Sequence, residues 1–137
     1  MSQELFHFLI LDDNKLDCFI AEKVIANTHR SVSIHVFNFG HEALNFLKTT
    51  ELDPNYRVVL VVDIYMPVIN GFEFLKSVLD AIPEQRKGNY VFSFFTSSIS
   101  EVDVEEAKKI SMDIKFHTKP ITSATFNAFL DEIQCFS

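Results

Sequence analysis

The segment Val58-Val59-Leu60-Val61-Val62-Asp63 constrains the fold more than any other stretch of this chain. Its five apolar residues, four of them β-branched, leave no polar face for water. Such a run reads as a strand covered on both sides, the pattern of a central strand in a parallel sheet flanked by helices. An ionised carboxylate inside that strand would be costly. Asp63 therefore belongs at the strand's carboxyl end, where an open α/β sheet forms its crevice.

Apolar runs alternate with helical patterns along the rest of the chain. Strands are expected at Leu5 to Leu11, Ser33 to Phe37, Val58 to Val62, Tyr90 to Phe95 and Ile114 to His117. Helical spacing of apolar residues covers Lys15 to Asn27, His41 to Lys48, Phe72 to Ile82 and Thr122 to Ile133. Ser100, with Asp103 in the capping-box position, opens a further helix that ends near Ile110. Asp53-Pro54-Asn55 is a turn, and Gly88-Asn89 breaks the chain before the aromatic strand. Five βα units with right-handed crossovers give an α/β fold. The expected form is a flavodoxin-like (βα)5 doubly wound parallel five-stranded sheet, strand order 2-1-3-4-5. One domain spans residues 1–137, with no linker, no repeat and nothing left for an output domain.

The net charge of −7 and the lack of a basic stretch argue against direct nucleic-acid binding. No apolar run approaches the ~18 residues of a membrane span, and the amino terminus does not read as a signal peptide. Cys18 and Cys135 are too few for a disulfide framework and read as reduced thiols, which points to the cytoplasm. The five histidines lack the spacing of a transition-metal site.

In a parallel sheet every strand's carboxyl end lies on the same edge. The residues that arrive there are Asp12 and Asp13, Asp63, Thr96 and Lys119. Three carboxylates at one edge repel one another, and a hard divalent cation such as Mg²⁺ relieves that repulsion through oxygen ligands. Each residue also has a plainer reading. Asp12-Asp13 would cap the first helix, Thr96 would finish a strand, and Lys119 would be a solvated loop lysine. Their joint placement favours a site, with the Lys119 ammonium in reach of Asp63.

These residues resemble the receiver domain of two-component response regulators, in its stand-alone, chemotaxis-regulator-like form. The matching pieces are Leu11-Asp12-Asp13-Asn14, Asp63-Ile64-Tyr65-Met66-Pro67 with Gly71, Thr96-Ser97, and Phe116-His117-Thr118-Lys119-Pro120. The resemblance implies a phosphorelay protein in which Asp63 accepts a phosphoryl group from a histidine kinase or histidine phosphotransfer protein. It implies Mg²⁺ held by Asp13, Asp63 and the Tyr65 backbone carbonyl, with Asp12 acting through water. It further implies that Lys119 and Thr96 contact the phosphoryl oxygens, and that Phe116 swings inward as Thr96 moves. Such a protein is no enzyme beyond its own phosphorylation and dephosphorylation. The apolar residues of its last strand and last helix (Phe116, Phe126, Phe129, Ile133) are mostly core by spacing, and any exposed ones would lie on the surface for a downstream protein target or a dimer.

Four residues depart from the family pattern. Ser111-Met112 replace the small residues that usually close the fourth helix, so that helix end is expected to be shaped differently. Tyr65 is bulky beside the path of a hydrolytic water, and Ser98 is small and uncharged, which together predict unassisted hydrolysis. An aspartyl phosphatase would need an acid at position 65, and a flavodoxin would need a loop that welcomes phosphate instead of Asp12-Asp13. A degenerate receiver serving as a phosphorylation-independent scaffold remains the alternative, although no acid, threonine or lysine of the set is missing.

Overall fold

A computed structural model describes residues 3–97, 99–111 and 113–134. Ser98, Met112 and Cys135 lie outside the described residues. The chain runs β1 (Phe6–Leu11), α1 (Lys15–Asn27), β2 (Ser31–Phe37), α2 (Gly40–Thr49), β3 (Arg57–Asp63), α3 (Gly71–Ala81), β4 (Tyr90–Thr96), α4 (Glu101–Ile110), β5 (Lys115–Thr118) and α5 (Ser123–Ile133). All neighbouring strands pair in parallel, in the order β2-β1-β3-β4-β5.

The β3 run behaves as its composition requires. Val58, Leu60 and Val62 enter one core with Phe74, Leu75 and Val78 of α3 and Ala107 of α4. Val59 and Val61 enter the opposite core with Cys18, Ala21 and Ile25 of α1 and Phe126, Phe129 and Leu130 of α5. The two-residue alternation of a strand thus sends consecutive apolar residues into two cores. Register sets the rest: Leu11 lies opposite Val62, Asp63 opposite Phe95, and Thr96 opposite Thr118. The carboxyl ends of β1, β3, β4 and β5 are therefore level.

Local chemistry fixes the helix starts. Asn14 caps α1 by accepting from the Asp17 N–H, so capping of this helix belongs to Asn14 and not to Asp12-Asp13. Asn70 and Glu73 close a reciprocal capping box on α3. At α4 only half of the expected box forms as drawn. Ser100 Oγ accepts from the Asp103 N–H, but the Asp103 carboxylate turns instead to the Tyr65 hydroxyl. Gly88-Asn89 is not a bare break, because Glu84–Asn89 form a 3-10 helix entered through Pro83. The α4 carboxyl end does depart from a glycine-type cap. Ser111 is extended (φ −160°), and its N–H bonds to Ala107 O at 2.9 Å.

A polar clamp at the amino edge of the sheet had no signal in the sequence pattern. Arg30 is 0% exposed. Its guanidinium reaches Asp131 at 2.8 Å, Gln134, and the Glu4 carbonyl at 3.4 Å. Arg57 grips both Glu4 carboxylate oxygens at 2.8 and 2.9 Å and donates to the Ile133 carbonyl. Both guanidiniums lie against the Phe6 ring. Charge, packing and hydrogen bonding here tie the end of α5 to β1 and β3.

Candidate functional site

The level strand ends bring Asp12, Asp13, Asp63, Thr96 and Lys119 around one cavity of about 280 Å³, together with Asn14, Asp17, Tyr65 and Ser97. Carboxylate oxygens of Asp12, Asp13 and Asp63 all lie within 4.8 Å of one another. Asp12 is buried, Asp63 half-buried and Asp13 exposed. The Asp12 backbone carbonyl accepts from the Asn38 amide at 2.9 Å and the Cys18 thiol at 3.2 Å, which fixes where Asp12 sits.

Lys119 is the cation of the cluster, but its first partner is not Asp63. Its Nζ lies 2.6 Å from Asp12 Oδ2, 3.0 Å from Asp17 Oδ2 and 3.6 Å from Asp63 Oδ1. The Asp17 contact was not foreseen. Its signal was present, since the third residue of α1 stands beside the Asp12-Asp13 loop. The Lys119 N–H also donates to the Thr96 carbonyl at 2.7 Å, and the Lys119–Pro120 peptide is cis.

The electrostatics follow from burial and crowding. Burial, then the neighbouring Asp12 charge, pushes Asp63 up to about 6, against the relief given by Lys119. Burial also raises Asp12, with Lys119 and the Asn14 N–H acting the other way. Burial alone would lower Lys119, but its bonds to Asp12 and Asp17 hold it above the ordinary lysine value. Cys18 is raised to about 11 by burial, so it stays a thiol and donates to Asp12. Several hard oxygen donors share one lysine, and that deficit of positive charge suits a divalent cation.

The remaining residues surround this centre. Thr96 is buried at the end of β4 and lines the cavity. Phe116 is half-buried on β5 with its ring 5.6 Å from Phe94, so it packs into the core and does not line the cavity. Next to it, His117 stacks on Phe95 and meets Phe129 edge-on, both at 4.5 Å. In the loop after Asp63, Gly71 is required by close approach. A Cβ there would stand 2.6 Å from the Asp63 carbonyl and 2.9 Å from the Phe94 ring. Val68 in the same loop is held at φ 73°, a strained conformation for a β-branched residue.

No protein-family model matches the chain, and no curated protein matches it by sequence. Solved structures do match. A response regulator receiver protein from Dyadobacter fermentans is 25% identical over 93% of this chain and 96% of its own, with a TM-score of 0.78. A two-component response regulator from Cytophaga hutchinsonii is 24% identical over 95% of this chain and 97% of its own, with a TM-score of 0.79. The chemotaxis protein CheY4 of Vibrio cholerae is 21% identical over 94% and 98%, with a TM-score of 0.77.

The chain has the receiver-domain fold. On this fold the sheet edge places an acid, an acid pair, a hydroxyl and an ammonium in one cavity, and the acid cluster is one that could hold a metal ion. No helix among the described residues is long and apolar enough to cross a membrane.

Proposed function

We propose that this receiver is a phosphoacceptor in a two-component or phosphorelay pathway, with Asp63 as the accepting residue. One observation carries the reading. Asp63 sits on a receiver sheet within 4.8 Å of the Asp12 and Asp13 carboxylates and 3.6 Å from the Lys119 ammonium. A phosphohistidine of a histidine kinase or phosphotransfer protein is the donor. A carboxylate oxygen of Asp63 bonds to phosphorus as the P–N bond breaks, and the electron pair leaves with the donor imidazole.

Phosphoryl transfer asks the protein mainly for positioning and charge stabilisation. Asp13, Asp63 and the Tyr65 backbone carbonyl would hold Mg²⁺, with Asp12 in its outer shell. When bound, Mg²⁺ supplies positive charge against the crowded carboxylates and the incoming phosphoryl oxygens. Lys119, already anchored between Asp12 and Asp17, is placed to pair with a phosphoryl oxygen on Asp63. Thr96 lies across the same cavity as a hydroxyl donor. Its shift toward the new oxygens opens room for Phe116, so a charge event becomes a change of surface on β5 and α5. The exposed side chains of Leu16 and Phe19 on α1 give the donor an apolar foothold near the crevice. The protein acts in the cytoplasm, and its turnover is limited to its own phosphoryl group.

Incubation with an acyl phosphate and Mg²⁺, read by intact mass, tests this. Wild type should gain one phosphoryl group and Asp63→Ala none. No gain in wild type, or equal gain in the variant, would leave the scaffold reading in its place.

A further inference from the structure

The Tyr65 hydroxyl donates to Asp103 Oδ1, bridging the loop after β3 and the first turn of α4. The two ends of this bond differ sharply in exposure. Asp103 is 2% exposed, whereas Tyr65 is 64% exposed. A carboxylate that buried needs a donor. Its own backbone N–H is committed to Ser100 Oγ at 3.1 Å, and the side chain leaves the cap to reach the tyrosine. At its other end Tyr65 is fixed by a loop pinned through the Gly71 N–H to the Ile64 carbonyl at 2.8 Å. Tyr65 also forms part of the wall around Asp63, Thr96 and Lys119.

We propose that Asp103 is a positioning residue of the acceptor site, which anchors the Tyr65 ring beside Asp63 and so restrains hydrolysis of the phosphorylated carboxylate. The proposal rests on the phosphoacceptor reading above. In the step concerned, a water oxygen bonds to phosphorus while the bond from phosphorus to the Asp63 oxygen breaks. The electron pair returns to the Asp63 carboxylate, and the water's proton leaves with phosphate or to solvent. That water needs open space next to the acceptor. A ring held at both its Cα and its hydroxyl keeps its place in the wall, whereas an exposed tyrosine without the bond changes rotamer within nanoseconds.

The test is the half-life of the phosphorylated protein after the donor is removed, in wild type, Tyr65→Phe, Asp103→Ala, Asp103→Asn and the Tyr65→Phe/Asp103→Ala double variant. Tyr65→Phe keeps the ring and loses the bond, and Asp103→Ala loses the acceptor. Each should shorten the half-life by roughly fivefold. The double variant should be no shorter-lived than either single one, because one bond is removed in all three. Asp103→Asn keeps an acceptor oxygen and should restore most of the lifetime, which a merely structural role for the buried carboxylate would not produce. Amide hydrogen exchange on the unphosphorylated protein gives a second readout, in which Tyr65→Phe should exchange faster in the first turn of α4. A wild type that takes up no phosphoryl group overturns the phosphoacceptor reading and this proposal with it. Phosphorylated variants with wild-type half-lives, or additive effects in the double variant, overturn this proposal alone.

Discussion

His117 shows how much one packed side chain can set. Its ring lies between Phe95 and Phe129, and among the described residues its buried Nε2 has no hydrogen-bond partner. Burial, partly offset by Glu132, lowers its pKa from 6.5 to about 4. Between those values the unfolded chain binds more protons than the folded one. Stability is therefore highest above the unfolded value and falls as pH drops from 6.5 toward 4. Between about pH 7.5 and about pH 5, wild type should lose about 2 kcal/mol more than His117→Leu, measured by urea denaturation. Equal losses in the two proteins would refute the assignment. Strand periodicity placed His117 on β5, but only the aromatic packing revealed its environment.

At the scale of elements, the β3-to-α3 connection is the most tightly specified. Gly71 begins α3 with its Cα against the Asp63 carbonyl, where any Cβ meets backbone at 2.6 Å. Flexible side chains can yield to such a contact, and a backbone carbonyl in a central strand cannot. Gly71→Ala should lower stability by about 2 kcal/mol and slow phosphoryl uptake on Asp63, because the strain falls on the peptide that carries the acceptor. Thermal melting and the mass assay check the two effects, and an unstrained, fully reactive variant would contradict the close approach. Most of the helices were legible from their apolar spacing, and Ser100 from its capping pattern; in the structure Asn14, Asn70, Ser100 and Thr122 each accept from an N–H three residues on. The Arg30 and Arg57 clamp was not legible. Its partners Asp131 and Gln134 lie 101 and 104 residues from Arg30, beyond any local pattern.

For the whole molecule, the cluster of acids sets a conflict between folding and chemistry. Asp63 titrates near 6 in the fold against 3.8 as a free side chain, so the folded state binds more protons between those values. Stability from this residue is full below 3.8 and falls as pH rises through 6. At neutral pH without a divalent cation, Asp63→Asn should therefore melt higher than wild type, with the gap closing as the medium is acidified. Mg²⁺ should raise the wild-type melting temperature with concentration, and raise that of Asp63→Asn less. A variant that melts lower at neutral pH, or wild type indifferent to Mg²⁺, would show that the acids are not the source of the strain.

The sequence alone determined the layer architecture. A five-residue apolar run ending in Asp63, repeated βα alternation, and polar residues after strands one, three, four and five admit few other folds. It also named Asp12, Asp13, Asp63, Thr96 and Lys119, because parallel strands bring their carboxyl ends to one edge whatever the side-chain detail. Which atoms pair was decided only by the tertiary structure. Lys119 bonds Asp12 and Asp17 before Asp63, and Asp103 leaves its cap for Tyr65. Periodicity specifies the face and the edge on which a residue sits. Competition among nearby donors and acceptors depends on distances of a few ångströms between segments far apart in the chain.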